Sequence, residues 1–112
     1  MHRHAEKLQT LDPTFRPLAE AVIRDMTAAG WHIRVVWGRR TQAENDSLLP
    51  FSSRSSEHLH GRALDIIDER VLYNVVPGDK YATDLARIAK KHGLVWGGSF
   101  SNKWDPTHVE LP

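Results

Sequence analysis

Two segments of the chain carry hydrophobic residues at the spacing of an amphipathic helix. The first is predicted to span residues 12–29, with Asp12 as its N-cap. Its apolar face consists of Phe15, Leu18, Val22, Met26 and Ala29. The second is predicted to span residues 80–92, and a glycine follows each segment, where glycine commonly ends a helix. The inward residues of the second helix are Tyr81, Leu85, Ile88 and Ala89.

Short runs rich in β-branched and aromatic residues predict strands between and after these helices. The predicted strands are 31–37, 62–67, 94–96 and 107–111. Thr41 is predicted to cap a short helix that reaches Leu49, while 50–56 and 73–79 contain loop-forming residues. Because helices and short strands are mixed without a regular βαβ order, we predict an α+β fold, a small antiparallel sheet with flanking helices.

The composition is that of one small globular domain. The chain has 112 residues and a formal net charge of +1, so residues 1–112 are predicted to form a single domain. The near-neutral charge argues against a general nucleic-acid binder, which needs a basic excess. No apolar run approaches the about 20 residues of a membrane span, and the first ten residues lack the apolar stretch of a signal peptide. We therefore expect cytoplasmic synthesis without a signal peptide.

Histidine is abundant and cysteine is absent. The chain contains seven His and no Cys, which excludes disulfides and thiolate zinc sites. A bound metal must therefore use imidazole and carboxylate ligands. The histidines predicted to be merely solvent-exposed are His2, His4, His32 and His92.

Two clusters of His and acidic residues, at 56–65 and 104–110, indicate a metal site. A mononuclear catalytic zinc site needs three N or O ligands, an open position and a nearby carboxylate that accepts a proton. The candidate ligands are His58, Asp65 and His108. Asp105 would be the free carboxylate.

The spacing within the clusters has a local structural interpretation. Gly61 allows the chain to turn between His58 and Asp65, because glycine reaches backbone conformations closed to other residues. In a strand, His108 and Glu110 point to the same face. Glu110 could then accept a hydrogen bond from a ligand imidazole and orient it.

Each candidate also has a simpler interpretation. Asp65 lies within a predicted strand, and a half-buried carboxylate there could form a structural salt bridge with an arginine. Asp105 could simply begin an Asp-Pro turn. A purely structural metal site would need four protein ligands, with His60 or Glu110 as the fourth. We interpret His60 as a loop residue rather than a ligand.

Three motifs match, in order, those of a known enzyme family. Residues 38–45 are similar to its G-[YF]-R-S-x-A-E-Q segment. The family signature S-x-H-x-x-G-x-A-x-D is matched by Ser56, His58, Gly61, Ala63 and Asp65. Residues 96–100 and 105–110 look like its W-G-G-x-F and D-x-x-H-[FV]-E close. The chain therefore resembles the M15-type zinc peptidases, which include D-Ala-D-Ala carboxypeptidases and L-alanyl-D-glutamate endolysins, in the Hedgehog/D-Ala-D-Ala peptidase superfamily.

The resemblance implies a fold of the Hedgehog/D-Ala-D-Ala-peptidase type and a set of site residues. Zinc would be bound by His58, Asp65 and His108. Asp105 would be the general base that takes a proton from the attacking water. Arg40 would stabilise the oxyanion or hold a substrate carboxylate, although the neighbouring Arg39 leaves this assignment open by one position. Ser56 would contact substrate.

The sequence also departs from the family pattern. Asn45 stands where the family commonly has Gln, and Leu49 stands where an aromatic residue is frequent. The segment 50–55 is much shorter than the Gly-rich loop usual there. Because that loop borders the cleft, these departures leave the substrate preference open.

The expected substrate is a peptidoglycan stem peptide. We expect a monomeric, zinc-dependent L-alanyl-D-glutamate endopeptidase of the phage or prophage endolysin type, which acts on the cell wall after release. The alternatives are a D-Ala-D-Ala carboxypeptidase and, from another class, a catalytically silent zinc-containing binding module like Hedgehog. A silent module is expected to lack the proton-accepting carboxylate, and Asp105 is present.

Overall fold

A computed structural model describes residues 2–49, 56–100 and 103–112, with side chains described from residue 6 onward. Its α-helices are α1 (His2–Gln9), α2 (Arg16–Ala28), α3 (Gln42–Ser47) and α4 (Lys80–Lys91). Its strands are β1 (Ile33–Trp37), β2 (Ala63–Asp68), β3 (Val95–Trp96) and β4 (His108–Glu110). Two 3-10 helices, Glu57–His60 and Gly97–Ser99, precede β2 and follow β3. No helix in the described part of the chain is long and apolar enough to cross a membrane.

The strands form one antiparallel sheet in the order β1-β2-β4-β3. This arrangement confirms the predicted α+β fold with a small antiparallel sheet. The interior position of β2 explains why all six of its residues are buried. Its alternating side chains therefore face two different environments, one apolar and one polar.

The hydrophobic core lies between one face of the sheet and helices α2 and α4. Leu64 and Ile66 contribute the β2 side of this core. The helices and Phe15, the N-cap residue of α2, face them; the helical residues are Ala19, Val22, Met26, Tyr81, Leu85, Ile88 and Ala89. The Tyr81 hydroxyl donates a hydrogen bond to the Ile66 carbonyl at 2.7 Å, which satisfies its polar atom inside the core. Because Ile66 faces the core, its neighbour Asp65 faces the opposite side of the sheet.

The N-terminal boundary predicted for α2 is wrong. Asp12 does not cap the helix; its Oδ1 accepts a hydrogen bond from the Thr14 backbone N–H at 2.8 Å, and the helix begins at Arg16. An Asp before a proline forms such a turn as readily as it caps a helix. Ala29 is exposed, and Ala19 is buried among the helix residues in its place.

His92 is a second correction. Its Nε2 lies 2.7 Å from Asp25 Oδ2, and Lys91 Nζ lies 3.1 Å from the same oxygen. These contacts join the C-terminal ends of α2 and α4, so His92 is a structural residue rather than a solvated one. His32 is exposed as predicted, whereas the side chains of His2 and His4 lie outside the described part of the structure.

Helix α1 has no counterpart among the predicted elements. Lys7 Nζ donates hydrogen bonds to the carbonyls of Val35 and Val36, at 3.3 and 3.1 Å, and Leu8 packs against the core. The short helix predicted after Thr41 is confirmed, with a complete capping box between Thr41 and Glu44.

Candidate active site

Strands β2 and β4 place Asp65 and His108 side by side. Asp65 is paired with His108 across the two strands, and Ala63 is paired with Glu110. Directly opposite residues of antiparallel strands project to the same face, so this face carries two acidic groups and one imidazole. The small side chain of Ala63 leaves room there for Glu110. The register thus explains the A-x-D spacing of the signature.

His58 reaches the same face from the 3-10 helix before β2. The Ser56 hydroxyl oxygen accepts a hydrogen bond from the His58 backbone N–H at 3.2 Å and caps that helix. Gly61 ends the helix at a φ of +68°. A Cβ atom on Gly61 would lie 2.8 Å from the Asp12 nitrogen, so both conformation and space require glycine.

The tautomer of His58 follows from its contact with Gly38. His58 Nδ1 lies 2.8 Å from the Gly38 carbonyl oxygen, which can only accept, so Nδ1 carries a proton. In the neutral ring Nε2 then carries a lone pair. That nitrogen is buried and makes no hydrogen bond within the described part of the chain. Metal-binding histidines are oriented by this kind of contact at the other ring nitrogen.

The three predicted ligands converge on a point that suits a zinc ion. Ligand atoms of His58, Asp65 and His108 all lie within 4.8 Å of one another. Asp65 Oδ2 is 3.2 Å from His58 Nε2, and Asp65 Oδ1 is 2.9 Å from His108 Nδ1. Tetrahedral zinc with bonds of about 2.0–2.1 Å separates its ligand atoms by about 3.3 Å. The donor set and the unpartnered Nε2 of His58 therefore fit the metal.

The charges of this group favour an ionised Asp65. Burial opposes ionisation, but the hydrogen bond from His108 and the nearby His58 ring outweigh it and hold the pKa of Asp65 well below its ordinary value. Burial likewise disfavours a charged His108, yet hydrogen bonds to Asp65 and Glu110 raise its pKa to about 10. His108 Nε2 lies 2.7 Å from Glu110 Oε1, on the side of the ring away from Asp65. Glu110 thus orients His108 as the strand pattern predicted.

Arg40 is buried beside the group. Its Nη2 donates to Asp65 Oδ2 at 3.1 Å and its Nη1 donates to Asn45 Oδ1 at 3.2 Å. Its guanidinium carbon lies 4.8 Å from the centre of the Trp37 ring. Arg39 is exposed, whereas Arg40 contacts the metal-binding group, so the structure favours Arg40; its role toward substrate stays a prediction. The alternative interpretation of Asp65 as an arginine partner is also confirmed, since the same carboxylate contacts Arg40 and both histidines.

A bulge in β1 brings Trp37 under Arg40. Val35 is paired with Ile66 and Trp37 with Asp65, so β1 has one residue more than β2 between these pairs. The extra residue moves Trp37 from the core face to the face that carries Asp65.

The W-G-G segment positions Asp105. The Asp105 backbone N–H donates to the Gly97 carbonyl at 3.1 Å, and the Trp96 indole N–H donates to the Pro106 carbonyl at 2.9 Å. A Cβ atom on Gly97 would collide with the Asp105 carbonyl and lie 2.9 Å from the His108 Cβ. Glycine is therefore required for the chain carrying Asp105 to approach this closely.

Asp105 lies next to the metal-binding group, in the cleft that also exposes Asp65. Its Oδ2 lies 3.6 Å from His108 Nδ1, and its side chain is about one-third exposed at 37%. Burial and the nearby charge of Asp65 raise the pKa of Asp105 above its ordinary value. Asp105 and Asp65 share a cleft of about 390 Å³ with Arg40.

The other candidates lie around this centre. Ser56 has its hydroxyl engaged as a cap, and its contact with substrate stays a prediction. His60 is exposed at the end of the 3-10 helix, so it is helical rather than in a loop, and it lines a separate depression with Arg39. Among the described residues, the one metal-binding group contains neither His60 nor Glu110. The shortened segment 50–55 lies outside the described residues.

Sequence reasoning missed three residues that support the site: Gly38, Trp37 and Asn45. The Gly38 carbonyl fixes the His58 ring, Trp37 stacks on Arg40, and fully buried Asn45 accepts from Arg40. Asn45 was noted only as a departure from the family pattern. A polar residue inside a short helix next to the arginine was the available signal. The β1 bulge leaves no signal in the sequence.

Comparison with known proteins places the chain in a family. A sequence profile of M15 peptidases, described as D-alanyl-D-alanine carboxypeptidase, matches residues 51–111, more than half of the chain. The chain belongs to the M15 family of zinc peptidases. The M15 peptidase described here is therefore a metal-dependent hydrolase of a family that acts on peptidoglycan peptides. None of the curated protein sequences matches it significantly.

Solved structures of M15 enzymes share its fold. The L-Ala D-Glu endopeptidase ChiX of Serratia marcescens is 26% identical with a TM-score of 0.66, and the match covers 96% of this chain and 85% of ChiX. The LD-carboxypeptidase LdcB is 22% identical with a TM-score of 0.73, covering 91% of this chain and 65% of LdcB. VanYB, solved in complex with D-alanine-D-alanine, is 15% identical with a TM-score of 0.70, covering 90% and 71%. A related VanY structure contains Zn(II).

Proposed function

We propose that this M15 peptidase hydrolyses the bond between L-alanine and D-glutamate in peptidoglycan stem peptides. The observation that carries hydrolysis is the His58, Asp65 and His108 group, whose Asp65 lines one cleft with Asp105. The choice of bond is supported by the similarity to ChiX, which extends over nearly the whole of both chains. The endolysin setting and action on the wall after release stay predictions.

Zinc would be held by His58 Nε2, an Asp65 carboxylate oxygen and His108 Nδ1. When bound, zinc lowers the pKa of a water molecule and polarises a carbonyl. The protein orients the ligands for this task, because Gly38 fixes the proton on His58 Nδ1 and Glu110 holds His108 Nε2. The Nδ1 proton of His108 must leave when the metal binds, so binding releases a proton.

Asp105 accepts a proton from the attacking water and then delivers it to the leaving amine. Two observations support this role: the carboxylate lies beside His108 Nδ1, and it is partly exposed, so a water molecule can reach it. Its raised pKa makes it a stronger base than an ordinary aspartate.

Arg40 binds the carboxylate next to the scissile bond or the developing oxyanion. In the proposed substrate, the carbon that bears the leaving amine also bears the free α-carboxylate of D-glutamate. Arg40 is already held by Asp65, Asn45 and Trp37, so little side-chain entropy is lost on binding.

A D-alanyl-D-alanine carboxypeptidase is the second candidate, because the matching family profile carries that description. In that substrate too, the carbon that bears the leaving amine carries a free carboxylate. Arg40 would therefore bind the same kind of carboxylate in both substrates. The two activities differ in the amino acids on either side of the scissile bond.

Digestion of purified peptidoglycan by the zinc-loaded protein, followed by mass spectrometry, distinguishes these activities. The proposal predicts peptides with a new D-glutamate amino terminus, and a chelator abolishes their release. Release of free D-alanine alone would identify the carboxypeptidase instead. Intact stem peptides after prolonged incubation would contradict both.

A further inference from the structure

Exposed apolar side chains collect at the edge of the active-site cleft. Tyr73 and Trp104 line the same cleft as Asp65 and Asp105, yet their residues are 61% and 39% exposed. Val76, in the same connection between β2 and α4 as Tyr73, is also exposed. We call Tyr73 and Trp104 the aromatic rim. An exposed apolar patch beside a catalytic cleft is typical of a binding surface.

The aromatic rim is held in place by its neighbours in the chain. Val75 is buried in the core, and its backbone N–H donates to the Tyr73 carbonyl at 2.8 Å. Leu72 adopts a φ of +57°, a conformation that non-glycine residues rarely adopt and that turns the chain just before Tyr73. Trp104 is next to Asp105, whose backbone is fixed by Gly97. The two rings are therefore placed relative to the catalytic carboxylate before substrate binds.

Both rings also keep their polar atoms available. Neither the Tyr73 hydroxyl nor the Trp104 indole N–H forms a hydrogen bond to another described residue. Burial raises the pKa of the Tyr73 hydroxyl, so it remains a donor at neutral pH. The aromatic rim thus offers two apolar ring faces and two hydrogen-bond donors, and neither ring carries a charge.

The substrate has one component with matching chemistry close to the scissile bond. In peptidoglycan the L-alanine nitrogen is joined to the lactyl group of N-acetylmuramic acid. The sugar therefore begins about 7 Å from the scissile carbonyl, two residue lengths of extended chain. Its carboxyl group is consumed in the amide bond, so the sugar is neutral, and it has apolar C–H faces as well as hydroxyl and acetamido groups.

The opposite side of the scissile bond is chemically different. D-glutamate carries a free carboxylate, which suits the cations of the cleft, Arg40 and Lys103, rather than uncharged aromatic rings. Resting on the proposed cleavage of the L-Ala–D-Glu bond, we propose that the aromatic rim binds the muramic acid sugar attached to L-alanine. Tyr73 and Trp104 are then specificity-determining residues that favour glycan-linked stem peptides over free ones.

Two substrates test this inference with zinc-loaded, full-length protein. One is N-acetylmuramoyl-L-Ala-γ-D-Glu-L-Lys-D-Ala, and the other is the same peptide with an N-acetyl group in place of the sugar, which leaves the charge unchanged. The wild type is expected to show a kcat/KM about ten-fold higher for the sugar-linked peptide, the effect of one good aromatic contact. The ratio is expected to fall to about one in Tyr73→Ala and Trp104→Ala.

The matched control is Val76→Ala, which shortens an exposed apolar residue of the same connection between β2 and α4, is not among the residues that line the cleft, and should keep the wild-type ratio. Tyr73→Phe keeps the ring and should keep most of the preference. Binding of the product N-acetylmuramoyl-L-alanine, followed by calorimetry, should weaken about ten-fold in Tyr73→Ala, whereas binding of N-acetyl-L-alanine should not change.

The outcomes separate the inference from the proposed function. Cleavage of both peptides at L-Ala–D-Glu with equal kcat/KM in the wild type would overturn the inference and leave the function intact. Equal losses of kcat/KM on both peptides in Tyr73→Ala and Trp104→Ala would show that the aromatic rim contacts the peptide rather than the sugar. A change in sedimentation of these variants would show that the rim contacts a second copy of the chain. Either result would also overturn the inference. No cleavage at this bond in either peptide overturns the proposed function and the inference together.

Discussion

Two histidines in the site differ in the atom that faces the metal position. His58 presents Nε2 because its Nδ1–H donates a hydrogen bond to the Gly38 carbonyl, whereas His108 presents Nδ1 because Glu110 contacts its Nε2. The spacing of the motif predicted both residues and the orienting role of Glu110. It could not predict Gly38, because a backbone carbonyl leaves no trace in the residue pattern.

The substitution Arg40→Lys tests whether the buried guanidinium group of Arg40 contributes to substrate binding or catalysis. A lysine cannot reproduce the fork that contacts Asp65 and Asn45 while stacking on Trp37. We expect kcat/KM for the stem peptide to fall about 100-fold, the cost of losing one oriented donor. Arg39→Lys, which changes the exposed neighbour, should retain wild-type kinetics. Equal activity of the two variants would show that Arg40 has no part in binding or catalysis.

At the scale of secondary-structure elements, the position of Asp105 depends on the Gly97–Ser99 turn. In Gly97→Ala the added methyl group would collide with the Asp105 carbonyl and press on His108. We expect a loss of about 1–3 kcal/mol in the free energy of unfolding together with a large loss of kcat, since overpacking here displaces the base. Urea unfolding and steady-state kinetics measure the two effects.

The control for this variant is Gly93→Ala at the end of α4. Its φ is +72° and no atom lies within 4 Å of an added Cβ, so only conformational strain of about 1–2 kcal/mol is expected. Gly93→Ala should lose stability but keep kcat. A Gly97→Ala protein that likewise keeps full kcat would contradict the positioning role of the turn.

The end of β2 supplies a pH-dependent contribution to stability through Asp68. Its fully buried carboxylate accepts hydrogen bonds from Arg70 and from the His32 backbone N–H, and these lower its pKa from the ordinary value of 3.8. A lowered folded-state pKa means that the stabilisation is complete above about pH 5 and is lost as the pH falls through the folded-state value.

Asp68→Asn should therefore cost about 1–3 kcal/mol in the free energy of unfolding at pH 7. The difference from wild type should shrink steadily as the pH falls from about 4 toward 2. Asp46→Asn, at an exposed position of α3, is the control and should change the unfolding free energy little at either pH. A difference for Asp68→Asn that grows on acidification would have the wrong sign.

Helices and strands were predicted well where hydrophobic residues recur at a regular spacing. They were predicted poorly where residues that form turns determine the end of a helix. The buried face of α4 and the strands that carry Asp65 and His108 follow the predicted pattern. The start of α2 does not, because Asp12 followed by a proline serves a turn as well as a cap. The bulge that turns Trp37 toward Arg40 arises only when β1 pairs with β2.

At the scale of the whole molecule, the metal site and the hydrophobic core lie on opposite faces of one sheet. The sequence predicted an antiparallel sheet but not its order, β1-β2-β4-β3, because pairing depends on contacts between distant segments. Interior strands β2 and β4 supply Asp65 and His108, and the described residues of the hydrophobic core behind them include no His, Asp or Glu. The fold should therefore outlast the loss of zinc.

Removal of zinc with a chelator should leave the far-ultraviolet circular dichroism spectrum unchanged at 25 °C. The thermal unfolding midpoint should fall, because a ligand that binds only the folded state stabilises it by mass action. Refilling with zinc should restore the midpoint. Complete unfolding by the chelator would instead indicate a structural metal site.

We propose that His58, Asp65 and His108 hold the zinc while Asp105 accepts and delivers the proton. Zinc content and turnover of stem peptides, measured on the same preparations of Asp105→Asn and His58→Ala, test it most directly. We expect Asp105→Asn to keep one zinc per chain but to lose at least about 100-fold in kcat, whereas His58→Ala should lose both zinc and activity. Near wild-type turnover by Asp105→Asn, or full zinc occupancy in His58→Ala, would contradict it.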